Sequence, residues 1–237
     1  MCAHAMQDPS WLCRAESSDF AGVCERRWCG IDAGYALAVA RVPAEQRRRQ
    51  LLAAALRVVA AEGVAAASTR RIAGEARLPP AVVHYCFRSV EDLLDALTAS
   101  LFSEMAEVAA VALRAGGAVE PSVRAAVHRL WTPYRVDPAR YRAVLDLIPY
   151  ALRRPSATMA VRAYEAKVCA LAERFLVDVA AHNDIRWLDP TEVVGRVLLS
   201  TVDGLLLAWL IDKDDGRTEA ALDWLAASIA ARVTDSR

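Results

Sequence analysis

Apolar residues along most of the chain recur at three- and four-residue spacings, and no segment alternates with a period of two. That spacing gathers side chains on one face of an α-helix, so the pattern predicts an all-α fold. Past residue 120 it predicts helices near 121–132, 138–152, 155–184, 190–212 and 216–234, punctuated by Pro138, Pro155, Pro190 and the charged turn 212–216. Pro133 is expected to end the first of these and Pro149 to kink the second, because proline lacks the N–H that a helix interior uses. Upstream, a helix opening at Pro43 and Glu45 carries Leu52, Ala55, Leu56 and Val59 as its buried stripe. It should stop at Gly63, which tolerates the left-handed turn that closes helices.

The stretch Ser68–Leu94 is denser in signals. Ser68 or Thr69 suits an N-cap, since a hydroxyl there accepts a bond from an unpaired backbone N–H. Ile72, Ala73 and Ala76 give the following helix a small apolar face, and Arg77-Leu78-Pro79-Pro80 stops it. Proline suits a first helical turn, so a second short helix begins there. Val83 and Phe87, four apart, turn inward together, which leaves Pro80, Ala81, Val82, His84 and Tyr85 on or near the outward side. A short helix braced by a preceding one is the helix-turn-helix arrangement that reads a DNA major groove. Ser89 then caps a long helix with Glu91 and Asp92 in its first turn. It runs through Leu93, Leu94, Leu97, Leu101, Met105, Val108 and Ala112 to Gly116-Gly117.

Charge sharpens this picture. The chain of 237 residues is formally neutral, yet residues 44–90 hold eight arginines against three acids, a net of +5. Residues 91–237 hold 17 basic and 21 acidic side chains, a net of −4. Basic charge confined to the helix-turn-helix region is the electrostatic footprint of a DNA-binding domain. The longest apolar run, Val197–Ile211, is broken by Asp203 and is expected to fall short of a membrane span. No secretory signal pattern opens the chain. Cysteines at 2, 13, 24, 29, 86 and 169 show no CxxC pairing, so reduced thiols are expected. Residues 1–43 lack periodicity and read as a poorly ordered extension; a zinc site from Cys2, His4, Cys13, Cys24 and Cys29 is the alternative, with spacings that match no common module. The histidines at 4, 84, 128 and 182 accompany no nucleophile motif, glycine-rich phosphate loop or HExxH. Neither an enzyme nor a metal or cofactor site is therefore expected.

The segment Arg47–Leu101 resembles the N-terminal DNA-binding domain of the TetR family of transcriptional regulators. The resemblance is carried by the helix Leu51–Glu62 ending at Gly63, by Thr69-Arg70-Arg71-Ile72-Ala73 and Ala76, by Val83-His84-Tyr85-Cys86-Phe87, and by Ser89 with Glu91-Asp92-Leu93-Leu94. Ser200–Leu205 is similar to the penultimate helix of such proteins. The resemblance implies a three-helix reader at 44–90 and a helical effector-binding and dimerisation domain at 91–237. It further implies a cytoplasmic, homodimeric, ligand-responsive regulator, a repressor released from a pseudo-palindromic operator by a small molecule.

By the same resemblance, Ser68 and Thr69 stand at the phosphate backbone, while Arg70 reaches a base or a phosphate; Arg48, in the run Arg47–Arg49 that opens this domain, is either a further phosphate contact or part of a solvated face. Pro80, Ala81, Val82 and His84 face the groove floor, and Tyr85 donates to a phosphate. Candidate effector contacts are Trp131, Tyr134, Tyr141, Leu145, Tyr150, Met159 and Tyr164. Asp146 and Glu165 are expected to be solvated; either one buried without a partner would favour a cationic ligand. The dimer is expected to pair through Val194, Leu198, Thr201, Leu205 and Trp209 with Leu222, Trp224 and Ile229. The chain departs from the family pattern at Arg77, where glycine is usual, at Cys86, usually histidine, and at Val90, usually lysine. The last two weaken the expected grip on phosphate and keep open a second reading, a helical adaptor that has lost DNA binding.

Overall fold

The computed structural model describes residues 43–235. The five residues of the zinc alternative lie outside them. Helix α1 spans Ala44–Glu62, rich in alanine, leucine and arginine, which lose little freedom in a helix. Leu51, Ala54, Ala55, Val58 and Val59 form its buried stripe, while Leu52 and Leu56 are half-buried, so the inner face is turned slightly from the expected one. Gly63 ends α1 at φ 86°, and a Cβ there would come within 3.2 Å of the Asp146 carboxylate. Both the backbone and the close approach require glycine.

A single 3₁₀ turn, Val64–Ala66, leads into α2 (Thr69–Ala76) and α3 (Pro80–Cys86), followed by the long α4 (Val90–Ala112). Then come α5 (Val119–Val136), α6 (Pro138–Leu152), α7 (Pro155–Asn183), α8 (Thr191–Asp212) and α9 (Asp215–Ala230). From Arg47 onward the chain packs as one compact unit. In its helical body α4 lies along α7, α5 along α9, and α8 against both α7 and α9. Phe102, Phe175, Leu198 and Leu222 are among the fully enclosed side chains at these crossings.

Two expectations are corrected. Pro133 does not end α5, which continues to Val136, whereas α6 reaches Leu152 as expected, with Pro149 inside it. Thr132 turns its hydroxyl back to the His128 carbonyl beside Pro133. The fold is all-α as expected, with one small addition: α9 stops at Ala230, and Val233–Asp235 (β2) pairs antiparallel with Ile185–Trp187 (β1). Three-residue strands are too short to display a two-residue period in sequence. Finally, α8 is long and apolar enough to cross a membrane by length and composition, contrary to expectation. Here it packs into the body, with Val194, Leu198, Val202, Leu206 and Trp209 buried.

Candidate nucleic-acid interface and effector cavity

The helix-turn-helix is built from caps and ion pairs. Ser68, not Thr69, caps α2, its hydroxyl accepting the Arg71 N–H at 3.2 Å. Arg71 donates to Glu62 and Glu75, and Arg57 donates to Glu75 at 2.8 Å. These guanidiniums hold the Glu75 carboxyl below its ordinary range. Gln50 on α1 donates to the Ala76 carbonyl at 3.1 Å, fastening the end of α2. In the turn, the Leu78 N–H reaches the Ala73 carbonyl and the Arg77 N–H the Gly74 carbonyl, with Arg77 in the left-handed region at φ 56°, ψ 44°. This is a Schellman closure with arginine where glycine costs least. Arg77→Gly is expected to stabilise the fold by about 1 kcal/mol. In a chain of this size that is a rise of about 2–4 °C in Tm, measurable by thermal unfolding.

Of the expected DNA contacts, Ser68, Arg70, Pro80, Ala81 and His84 are exposed, Tyr85 is 77% exposed, and Thr69 is half-buried. They share the side of α2–α3 opposite the buried Val83 and Phe87. Val82 is a correction: at 7% exposure it belongs to the core, because a seven-residue helix turns two successive positions, Val82 and Val83, inward. Arg48 is turned elsewhere too. Its guanidinium donates to the Cys86 carbonyl at 3.2 Å and lies 4.2 Å from the Phe87 ring centroid, so it braces the end of α3. Burial pushes the Cys86 thiol above its ordinary pKa, and Val90 occupies the first turn of α4 half-buried.

The candidate effector residues divide. Tyr141, Leu145 and Tyr164 line a cavity of about 280 Å³ among α4, α6, α7 and α8, together with Phe102, Glu165 and Asp203. Tyr134 lines an adjoining hollow of about 40 Å³ that shares Met105, Tyr164, Glu165 and Asp203. The Tyr134 and Tyr141 rings stand 4.9 Å apart, and Phe102 meets Tyr164 edge-on at 5.1 Å. Trp131, Tyr150 and Met159 lie elsewhere. Trp131 packs under the Arg135 guanidinium and beside His128 on the side of α5 that meets α9. Tyr150 donates to Asp95 on α4 at 3.3 Å; burial, with Asp95 beside it, pushes its hydroxyl up to about 12. Met159 is 73% exposed on the outer face of α7.

Neither acid singled out in the sequence is free. Glu165 pairs with Arg196, and the Asp146 carboxylate accepts the Val64 N–H at 2.5 Å, joining α6 to the turn ahead of α2. Sequence reading missed Phe102 and Asp203 as cavity residues. The signal for Asp203 was present, as a lone acid in the apolar run of α8.

The expected dimer residues are largely interior: Val194, Leu198, Trp209, Leu222 and Ile229 are buried in the chain's own core, and Thr201 and Leu205 are half-buried. An exposed stripe runs instead through Val193, Val197, Ser200, Gly204, Ala208 and Ile211 of α8, with Trp224 of α9 exposed as expected. Because α8 is apolar on nearly every face, periodicity does not say which side meets the core.

A two-helix reader with one exposed side, joined to a helical body that holds an aromatic cavity, is the architecture of a helix-turn-helix regulator. The family model described as bacterial regulatory proteins, tetR family, matches residues 51–97. The nicotine-responsive transcriptional repressor HdnoR of Paenarthrobacter nicotinovorans is 30% identical over 205 residues, 81% of this chain and 98% of that protein. The regulator BetI of Rhizobium meliloti is 27% identical over 161 residues, 68% of this chain and 76% of its own. Among solved structures, a TetR-family regulator from Mesorhizobium loti superposes with a TM-score of 0.66 at 16% identity, covering 81% of this chain and 98% of its own. FadR of Bacillus subtilis in complex with stearoyl-CoA gives 0.63 at 13%, covering 78% and 99%. The chain belongs to the tetR family of bacterial regulatory proteins. It is a DNA-binding transcriptional regulator and not an enzyme.

Proposed function

We propose that the chain is a homodimeric repressor that binds a pseudo-palindromic operator and releases it when a small molecule enters the cavity among α4, α6, α7 and α8. The division of labour is a reader at 44–90 and an effector and pairing domain at 91–237. Exposure of Ser68, Arg70, Pro80, Ala81, His84 and Tyr85 on one side of α2–α3 carries this reading, since that side is free to enter a groove. A two-fold operator calls for a two-fold protein, and the exposed apolar stripe of α8 with Trp224 suits self-pairing. Such a protein works in the cytoplasm, where its DNA lies.

The route from cavity to reader runs through two helices. Tyr141, Val144, Leu145 and Ile148 of α6 wall the cavity, and Asp146 on the same helix holds the turn before α2. Phe102 and Met105 of α4 wall it too, and Asp95, two turns back, gathers Tyr150, Arg154 and Ser156 at the α6–α7 junction. A ligand that favours one spacing of α4 and α6 shifts the population away from the spacing that fits two successive major grooves.

Fluorescence anisotropy with the DNA upstream of the protein's own gene tests the reading. A specific complex whose affinity falls steeply between 50 and 200 mM salt, as about 6–10 phosphate contacts dictate, is the expected result. The adaptor reading, which Cys86 and Val90 favour, expects no salt-sensitive complex at all.

A further inference from the structure

The charges around the cavity do not cancel. Glu165 is paired with Arg196, and Glu104 on α4 with Arg140 on α6. The Asp203 carboxylate accepts no hydrogen bond and meets no cation within ion-pair distance among the described residues. Its backbone carbonyl, by contrast, takes the Tyr141 hydroxyl at 3.2 Å. Asp203 is exposed on the cavity wall, with Tyr134, Tyr141 and Tyr164 within electrostatic reach of its carboxylate. Burial of the carboxyl pushes its pKa up, and Arg196 only partly opposes the shift. With Arg196 paired to Glu165, this acid lacks a counter-charge within ion-pair distance.

The walls supply the other half of a cation site. Tyr134, Tyr141 and Tyr164 keep their protons, since burial raises all three hydroxyls, and their ring faces are electron-rich. A cation over such faces is attracted by the ring quadrupole, most strongly where water is excluded. The remaining wall is Val144, Leu145, Ile148 and Val161, which suits an apolar body. A larger cleft of about 500 Å³ between α4 and α5 has no such convergence: it holds no aromatic ring, its walls include the cation Arg129, and its one acid, Glu107, is already paired with Lys167.

We propose that the effector is a compact organic cation, an ammonium on an apolar body, held against Tyr134, Tyr141 and Tyr164 with the Asp203 carboxylate as its counter-ion. This rests on the cavity being the effector site. A volume of about 280 Å³ restricts the ligand to small molecules, at the low end of ligand pockets.

The test compares phenyltrimethylammonium with tert-butylbenzene, its uncharged isostere, by calorimetry on the full-length protein without DNA. The cation is expected to bind at least tenfold more tightly than the isostere. Asp203→Asn is expected to lose at least tenfold for the cation and to leave the isostere unchanged. Equal affinities, no binding of the cation, or a cation affinity untouched by Asp203→Asn would each overturn the proposal. Should Asp203→Asn fail to fold, Tyr164→Leu keeps the carboxylate while removing a ring face; it should weaken the cation about threefold or more, and an unchanged affinity counts against the site. Adding operator DNA separates the two readings. Asp203-dependent binding without operator release leaves the cation site standing and removes the repressor mechanism. Release by an uncharged effector, with no cation binding, does the reverse.

Discussion

Ala208→Glu is expected to leave the subunit folded and to reduce operator affinity about a thousandfold or more. Ala208 is exposed on α8, between Gly204 and Ile211 on the apolar stripe, so the substitution disturbs no core packing. Pairing two copies through this face would set two glutamates into one symmetric apolar contact, where an unpaired buried charge costs several kcal/mol. The monomer then offers one reader to a two-site operator. Specific complexes are typically 10³-fold or more tighter than non-specific ones, and most of that margin requires both half-sites at once. Sedimentation velocity and anisotropy check the two halves of the expectation separately. A dimer that survives A208E removes this face from the interface; monomers with full operator affinity remove the two-fold account of DNA binding. Trp224→Glu belongs to the same test, whereas Leu205→Glu does not, because Leu205 is half-buried and its replacement confounds pairing with folding.

The exposed stripe of α8 also marks where reading a sequence reaches its limit. The reader was legible because its signals are local: a serine cap, two prolines at a helix start, and two aliphatic or aromatic side chains four residues apart each fix a backbone geometry by themselves. At Val82 the same reasoning failed, since a helix of seven residues has no room for a wholly outward face and the neighbouring helices decide how far it rolls. For α8 the ambiguity is deeper. Apolar side chains occupy positions 193–194, 197–199, 205–207 and 209–211, so two stripes a residue apart satisfy the helical period equally well, and only contact with α7 and α9 selects the inner one. The cavity was half-legible for a related reason. Tyr134, Tyr141 and Tyr164 are marked by their chemistry, but Trp131 and Tyr150 carry the same mark and face α9 and α4 instead. Long-range partners such as Asp146 with Val64 leave no trace in spacing.

Arg70→Ala is expected to weaken operator binding by about 1–3 kcal/mol, roughly ten- to a hundredfold, and Arg71→Ala to act through a different quantity. The two arginines are adjacent in sequence and opposite in circumstance. Arg71 is committed: Glu62 and Glu75 hold it between α1 and α2, and its pKa is raised by the bond to Glu62 first. Arg70 is exposed, in the first turn of α2, with no hydrogen bond or ion pair to other described residues. A guanidinium free to present its fork matches the two acceptors on a guanine edge, or a phosphate, equally well. The outcome distinguishes these partners. Loss of a base contact relaxes the sequence preference at one operator position while the salt slope stays fixed; loss of a phosphate contact weakens all sequences alike and lowers the slope by about one. Arg71→Ala should lower the unfolding midpoint and leave the slope as it was, because its charge is already neutralised within the reader. If Arg70→Ala changes neither affinity nor slope, the exposed side of α2–α3 is not the surface that meets DNA.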